Sequence, residues 1–279
     1  MSFNEKYKLI SFLQKSVKSI IYVAENHSNK NRSHKTVIIK SVNKTAKLLF
    51  INDKMYPFPI PKEMYFLNLI NDENLCPKVL DCFQNEKEFS IVMENLNGNW
   101  MNLFDFVTAN IQRENIVKIY MKNIVKALLK LNSKGIYHLD VKPENVMINL
   151  ANYQIKFLDF EGSLIDNVNK NPKYDRFVGT VGCSSYEAVK GLTYDVKKNM
   201  VFEIGSLIFY CIEGKDILKF EDNNYVKCNS YFKCSRFVEN LIEKCLSYKE
   251  KDRIKLTKIL KSNWFHKSSS NKQTIQIYK

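Results

Sequence analysis

Apolar residues between positions 7 and 93 fall in short runs separated by polar breaks. Tyr7–Phe12, Ser19–Ala24 and Thr36–Lys40 are dense in β-branched and aromatic side chains and predict strands, with Leu48–Ile51 as a further short one. The polar stretch His27–Lys35 reads as a loop or hairpin tip. Prolines hold Tyr56–Pro61 extended, and Pro61 suits the first turn of a helix over about 62–71. On that helix Phe66, Leu67 and Ile70 make an apolar stripe and Glu63 is a charged position. Val79–Phe83 and Glu88–Met93 predict two more strands.

The spacing changes after Glu94. Asn95–Asn99 is polar and contains a glycine, the pattern of a connection between domains. Leu103–Asn110 predicts a short helix. Val117, Met121, Ile124, Leu128 and Leu131 recur at helical spacing over Glu114–Lys134, and Gly135 ends that helix. Val146–Ile148 and Ile155–Phe157 predict two short strands around a turn at Ala151–Tyr153. Met200–Ile212 is apolar nearly all round, so it predicts a buried central helix. Ser235 is placed to cap a helix bearing Phe237, Val238, Leu241, Ile242 and Cys245. A last helix is predicted near Leu256–Phe265, and the chain from His266 is polar. There is no internal repeat. The class is α+β: a sheet-rich part over 1–94, a connection at 95–99, a mainly helical part over 100–266 and a tail at 267–279, together one functional domain.

Length and composition narrow the function classes. A chain of 279 residues, 45% hydrophobic and 26% charged, has the profile of a soluble globular protein with a sizeable core. The longest apolar run, Leu207–Ile212, is far too short to span a bilayer, and Met1–Lys8 is polar. A cytoplasmic or nuclear protein without membrane insertion is expected, and a monomer. The seven cysteines include no Cys-x-x-Cys pair, which predicts reduced thiols and neither a disulfide framework nor a metal site. The net charge of +14 comes from 43 Lys and Arg against 29 Asp and Glu. The lysines are dispersed with no arginine-rich block, so nucleic acid is not expected as a main partner.

The concentrated chemistry lies in Gly135–Asn145. Asp140, Lys142 and Asn145 stand within six positions just after a helix, and Asp159 follows fourteen residues later. A base for an attacking hydroxyl, a cation for a moving phosphate and two oxygen ligands for magnesium are what phosphoryl transfer requires.

The order of these motifs resembles that of eukaryotic protein kinases, over about residues 7–265. Lys40 in Val37-Ile38-Ile39-Lys40 resembles the third-strand lysine that holds the α- and β-phosphates of ATP, and Glu63 resembles its helix partner. His138-Leu139-Asp140 resembles the His-Arg-Asp of the catalytic loop. The resemblance implies that Asp140 and Lys142 are catalytic, that Asn145 and Asp159 bind Mg2+, and that His138 is a packed structural residue. Asp-x-Lys-x-x-Asn is the spacing of serine/threonine kinases. Gly179-Thr180 and Ser185-Tyr186-Glu187 resemble the end of the activation segment. They imply contacts of Thr180 with Asp140 and Lys142, and a structural ion pair between Glu187 and Arg253. The nucleotide site is further implied to draw on Leu13, Ser16, Ile21, Ile38 and Glu94. Within the superfamily, Pro61–Leu67, Asn102–Val107 and the stretch from Tyr231-Phe232 to Trp264-Phe265 are similar to Pim kinases. Met200 stands where most kinases carry an aspartate. The fold implied is bilobal, a small antiparallel sheet with one main helix followed by a larger, mainly helical lobe.

Three departures shape the functional expectation. Leu13–Ala24 aligns with the glycine-rich phosphate loop, yet Gln14, Ser16 and Ser19 occupy its glycine positions, which predicts hindered backbone approach and weaker or slower ATP use. Lys15, Lys18 and the two serines are expected to compensate in part. Glu161 replaces the glycine after Asp159-Phe160, either as a third metal-site ligand or pointing away. Leu139 replaces the arginine that receives an activation-loop phosphate, which predicts a constitutively arranged segment. Glu144, with Asp105, Asp216, Glu221 and Asp222, sits where an acidic patch for upstream Arg or Lys in protein substrates would lie. The expectation is a basophilic serine/threonine protein kinase using ATP and Mg2+; the alternative is a pseudokinase scaffold.

Overall fold

The computed structural model describes residues 3–28, 35–46, 50–109, 113–166, 172–216, the backbones of 218–221 and 224–227, and 234–266. The chain forms two compact units, one of residues 1–103 with 144–164, the other of 104–143 with 165–279.

In the first unit, β1 (Tyr7–Lys15), β2 (Ser19–Asn26), β3 (Thr36–Asn43), β4 (Val79–Gln84) and β5 (Glu88–Glu94) form one antiparallel sheet in the order β1-β2-β3-β5-β4. Register divides the two faces. Ile21 pairs with Lys40, Val23 with Ile38, and Lys40 and Ile38 with Ile91 and Met93. Directly opposed residues of antiparallel strands share a face, so Lys40 lies on the same face as Ile21 and Ile38. The other face buries Tyr7, Ala24, Val37, Ile39 and Val92, with Phe3, Leu80 and Phe83 packed against them. Each β3 residue thus alternates between an apolar core and the face that carries Lys40.

Helix α1 spans Lys62–Leu69, with Pro61 at its N-cap position, φ −57°. It stops short of the expected 71, because a 3-10 turn at Asn71–Glu73 follows. Of the strand expected at Leu48–Ile51, Phe50–Ile51 pairs with Ile60–Pro61 and residues 48 and 49 lie outside the described residues. A second sheet joins β6 (Trp100–Asn102), β7 (Val146–Asn149) and β8 (Ile155–Phe157) in the order β8-β7-β6. The β6 strand is too short to leave a pattern in sequence. Its pairing explains why the hairpin at 144–164 packs with the N-terminal residues.

In the second unit, α2 (Leu103–Ala109) and α3 (Glu114–Ser133) precede α4 (Tyr186–Val189), α5 (Val196–Glu213) and α6 (Arg236–Cys245). α5 is the central element: fourteen of its residues are buried. Asp195 caps its start by accepting from the N–H groups of Lys197 and Lys198, and Gly214 ends it in the left-handed conformation at φ 67°. α5 meets α6 so closely at Gly205 that a Cβ there would lie 2.5 Å from that of Cys245.

Ser235 holds the N-cap position of α6, yet its hydroxyl makes no cap bond. It donates instead to Glu114 Oε1 at 2.7 Å, while its N–H donates to Oε2 at 2.8 Å and Trp264 Nε1 donates to Oε1 at 2.9 Å. A partly buried carboxylate offers a charge-assisted bond, roughly twice as strong as a neutral cap bond. The expected last helix is two single turns, Leu256–Ile259 and Asn263–His266, because Lys261 and Ser262 donate to the carbonyls three residues back. Among the described residues no helix is long and apolar enough to cross a membrane. Tyr231, Phe232 and the tail at 267–279 lie outside the described residues.

Candidate active site

The first unit assembles a cation between carboxylates. Lys40 is 7% exposed, and a lone buried ammonium is strongly disfavoured. Here it contacts Glu63 Oε2 from α1 and lies 3.5 Å from Asp159 Oδ1. Burial by itself lowers the Lys40 pKa; Glu63, then Asp159 and Glu161, more than reverse this and leave it raised. Burial raises Glu63 while Lys40 opposes. With the ammonium in direct contact, an ion pair is the state we assign.

Asp159 has φ 59°, an uncommon conformation for a non-glycine residue, and its side chain is 42% exposed. The carbonyl of the buried Asn145 accepts from Leu158 N–H at 2.9 Å, which fixes Asn145 beside Asp159 on the β7–β8 hairpin. One carboxylate and one amide oxygen are hard donors of the kind Mg2+ takes, so the residues fit that ion. Among the described residues no group of three or more His, Cys, Asp or Glu is arranged to hold a metal.

The loop at Gln14–Ser19 closes without glycine. None of its residues has positive φ. Ser16 N–H donates to Ser19 O at 2.8 Å, and Ser16 Oγ accepts from the N–H groups of Lys18 and Ser19 at 3.2 and 3.0 Å. The serine therefore occupies two backbone donors. Glu161 turns toward this loop and pairs with Lys18 Nζ at 3.1 Å. That pair is largely exposed and contributes about 0–1 kcal/mol. Leu13 is exposed, and Ile21 and Ile38 are partly buried.

Sequence reasoning missed the partners of Glu94. Its carboxylate accepts from Lys78 N–H at 3.0 Å and contacts Lys156 Nζ, whose side chain is 4% exposed and lies 5.7 Å from the centre of the Trp100 ring. The available signal was a lysine inside the apolar strand Ile155-Lys156-Phe157, a position that requires a buried partner.

The second unit gathers Asp140, Lys142 and Thr180. Thr180 Oγ1 donates to Asp140 Oδ1 at 2.7 Å and accepts from Lys142 Nζ at 2.8 Å, and Lys142 Nζ lies 3.1 Å from Asp140 Oδ2. His138 is fully buried, and its Nδ1 accepts from Asp140 N–H at 3.3 Å, so Nδ1 carries no proton. Leu139, also fully buried, has φ 65°. The Leu139 conformation is thus held by packing in place of an intrinsic preference. Arg253 donates from Nη2 to both Glu187 oxygens at 2.9 and 2.7 Å and from Nε to Ser247 O at 2.9 Å, with its guanidinium 5.1 Å over Phe202. Of the acids considered for substrate, Glu144 in the first unit and Asp105 and Asp216 in the second are exposed. The side chain of Glu221 and all of Asp222 lie outside the described residues.

Residues 23–265 match the family model described as protein kinase domain. The chain belongs to the protein kinase domain family. It is 31% identical over 204 residues to serine/threonine-protein kinase pim-2 of Danio rerio, covering 71% of this chain and 64% of that protein. It is 25% identical over 281 residues to CBL-interacting serine/threonine-protein kinase 20 of Arabidopsis thaliana, covering 96% and 60%. It is also 25% identical to serine/threonine-protein kinase cds1 of Schizosaccharomyces pombe, again covering 96% and 60%. The chain therefore spans about three fifths of the length of these relatives. All three relatives are named as serine/threonine-protein kinases.

Proposed function

We propose that this kinase domain transfers the γ-phosphate of ATP to serine or threonine hydroxyls of proteins. The observation that carries the reading is the Asp140–Thr180–Lys142 cluster, in which a carboxylate and an ammonium are held 3.1 Å apart by a shared hydroxyl. Asp140 takes the proton of the attacking hydroxyl as the new O–P bond forms and the bond from phosphorus to the β,γ-bridging oxygen breaks, releasing ADP. Lys142 carries positive charge for the moving phosphoryl group. Lys40, fixed by Glu63, holds the non-transferred phosphates, and Ile21 and Ile38 supply apolar contact to the base. Asn145 and Asp159 are the residues that would hold Mg2+, which supplies positive charge to the phosphate oxygens when bound. The test is Mg-ATP-dependent phosphate transfer to a basic peptide, compared with the Asp140→Asn protein. Equal signal from both overturns the reading.

A preference for substrates with Arg or Lys upstream is supported by the exposure of Glu144 and Asp105 on a chain of opposite net charge. A positional peptide array is expected to show enrichment of Arg and Lys before the target residue. A flat profile removes this preference.

One observation favours the contrary reading, a pseudokinase scaffold: Ser16 Oγ occupies the Lys18 and Ser19 amides that would otherwise be open to a phosphate. Ser16→Gly frees both. Two net hydrogen bonds to phosphate at about 1 kcal/mol each, less roughly 0.5–1 kcal/mol for ordering glycine, leave about 1–1.5 kcal/mol, so the KM for ATP is expected to fall about fivefold to tenfold. An unchanged KM would show that the serine turn does not compete with nucleotide.

A further inference from the structure

The apolar central helix α5 carries two polar side chains one turn apart that the proposed chemistry leaves unused. Asn199 and Glu203 are both 0% exposed. A carboxyl group removed from water is costly unless hydrogen bonded, and these residues sit among Met200, Val201, Phe202 and Ile204, which offer no side-chain donor to satisfy it. Their partners come from two separate loops. Glu203 Oε2 accepts from Val141 N–H at 3.4 Å, and Oε1 accepts from Asn199 Nδ2 at 2.9 Å. The other end of the amide, Asn199 Oδ1, accepts from Ser185 N–H at 2.9 Å.

These bonds close a ring. Val141 stands between Asp140 and Lys142, the two residues joined through Thr180 Oγ1. Ser185 follows Ser184, whose N–H donates to the Thr180 carbonyl at 3.0 Å. The path runs from Glu203 through Val141 to Asp140 and Lys142, across Thr180 to Ser185, and back through Asn199 to Glu203. Every backbone donor in it belongs to the loop bearing the base or to the segment bearing Thr180, and both are fastened to a single rigid helix. Burial pushes the Glu203 carboxyl well above the usual range and Asp140 adds to this, while the Val141 and Asn199 bonds and Lys142 oppose. The hydrogen-bond geometry serves either protonation state.

We propose that Glu203, acting through Asn199, is a positioning residue that sets Asp140 and Thr180 in register for phosphate transfer without phosphorylation of the Thr180 segment. This rests on the kinase reading above. It assigns to one buried pair the ordering that Leu139, apolar and 0% exposed, cannot take from a phosphate group. A hydrogen-bonded circuit anchored on a buried helix is always present, whereas a phosphate-dependent anchor has to be added.

The test uses the whole chain after phosphatase treatment, with Glu203→Ala, Glu203→Gln, Glu203→Met and Asn199→Ala variants. Misplacing a reacting group by about 1 Å costs on the order of 10²-fold, so Glu203→Ala is expected to lower kcat by about 10²-fold with the KM for ATP little changed. Glu203→Gln keeps an acceptor for Val141 N–H at the cost of the Asn199 bond and is expected to recover to within about tenfold of the parent, whereas Glu203→Met, of similar volume with no oxygen acceptor, is expected to stay near the alanine level, a difference that simple loss of packing would not produce. Site-resolved amide exchange is expected to show lost protection at Val141 and Ser185 in Glu203→Ala, and at Ser185 in Asn199→Ala. If Glu203→Ala does not fold, Glu203→Gln and Asn199→Ala carry the same comparison. Parental kcat in a folded Glu203→Ala protein overturns the proposal, as does lost activity with both amides still protected. Parental protein that loses its activity on phosphatase treatment overturns independence from phosphorylation. Should the untreated parent transfer no phosphate at all, the kinase reading fails, while the exchange data still decide whether Glu203 and Asn199 hold the two loops.

Discussion

Asp140→Asn is expected to leave the protein folded and to lower phosphate transfer about 10³-fold, near the middle of the range for removal of a general base. Asparagine matches aspartate in size, and its carbonyl oxygen still accepts from Thr180 Oγ1 where Asp140 Oδ1 does now at 2.7 Å. The Asp140 N–H bond to His138 Nδ1 is a backbone bond and is unaffected. What changes is the second oxygen, which becomes an NH2 facing the Lys142 ammonium at the present 3.1 Å. Two donors then oppose each other, and Lys142 is expected to keep only its Thr180 bond. The variant has no carboxylate to take the substrate proton. On the proposed reading Lys40 and its carboxylates hold the nucleotide, so the KM for ATP is expected to stay within about threefold, because the lost group acts on the transition state and not on ground-state binding. Single-turnover rates with a peptide substrate, beside a melting curve, check this. A folded variant within tenfold of the parent rate would remove Asp140 from the role of base.

The elements that were legible in sequence share one property: their determinants are local. Thr36–Lys40 shows its strand by its β-branched run, and the pairing of Lys40 with Glu63 comes from the resemblance to protein kinases laid over that strand and the helix after it. Met200–Ile212 announced a buried helix by its lack of a polar face, and Asp195 and Gly214 complete its ends at Val196 and Glu213. What stayed hidden are the long-range polar partnerships. Glu203 lies 62 positions from Val141, Glu114 lies 121 from Ser235 and 150 from Trp264, and Lys156 lies 62 from Glu94. No periodicity connects such residues. Ser235 shows the consequence: a serine before an amphipathic helix predicts a hydroxyl cap, and only the tertiary position of Glu114 diverts it. Glu161 shows another, since its two sequence readings gave no hint of Lys18 as its partner. The serine-closed turn at Ser16 was likewise invisible: the substituted glycines predict hindrance and the serines partial compensation, but not that the Ser16 hydroxyl would accept from the Lys18 and Ser19 amides.

Gly179→Ala is expected to be the most damaging small substitution outside the charged residues. Gly179 has φ +120°, and a Cβ there would lie 2.4 Å from Ser184 Oγ and 2.8 Å from Leu139 O. The first contact is a short side chain that is itself 0% exposed, and the second is backbone of the loop that carries Asp140, so neither can retreat cheaply. Strain at such a φ costs about 1–3 kcal/mol and overpacking a further 1–3 kcal/mol. Two outcomes relieve it. The whole second unit loses stability, seen as a melting point lowered by about 10 °C or more. Alternatively the segment shifts, and Thr180, the next residue, gives up its bonds to Asp140 and Lys142. In that case the melting point is nearly kept while kcat falls on the order of 10²-fold, the cost of misplacing reacting groups. The second outcome is the one we expect, because giving up the Thr180 and Asn199 bonds lets the segment next to Gly179 shift while the Glu187–Arg253 pair farther along is kept. An Asp140→Asn, Gly179→Ala double variant separates the two: if alanine acts only through Thr180 and Asp140, it adds little to the asparagine defect. Full additivity of the two losses would show that Gly179 acts elsewhere, and an active, stable Gly179→Ala protein would show that Ser184 and the Leu139 carbonyl give way to the added methyl group.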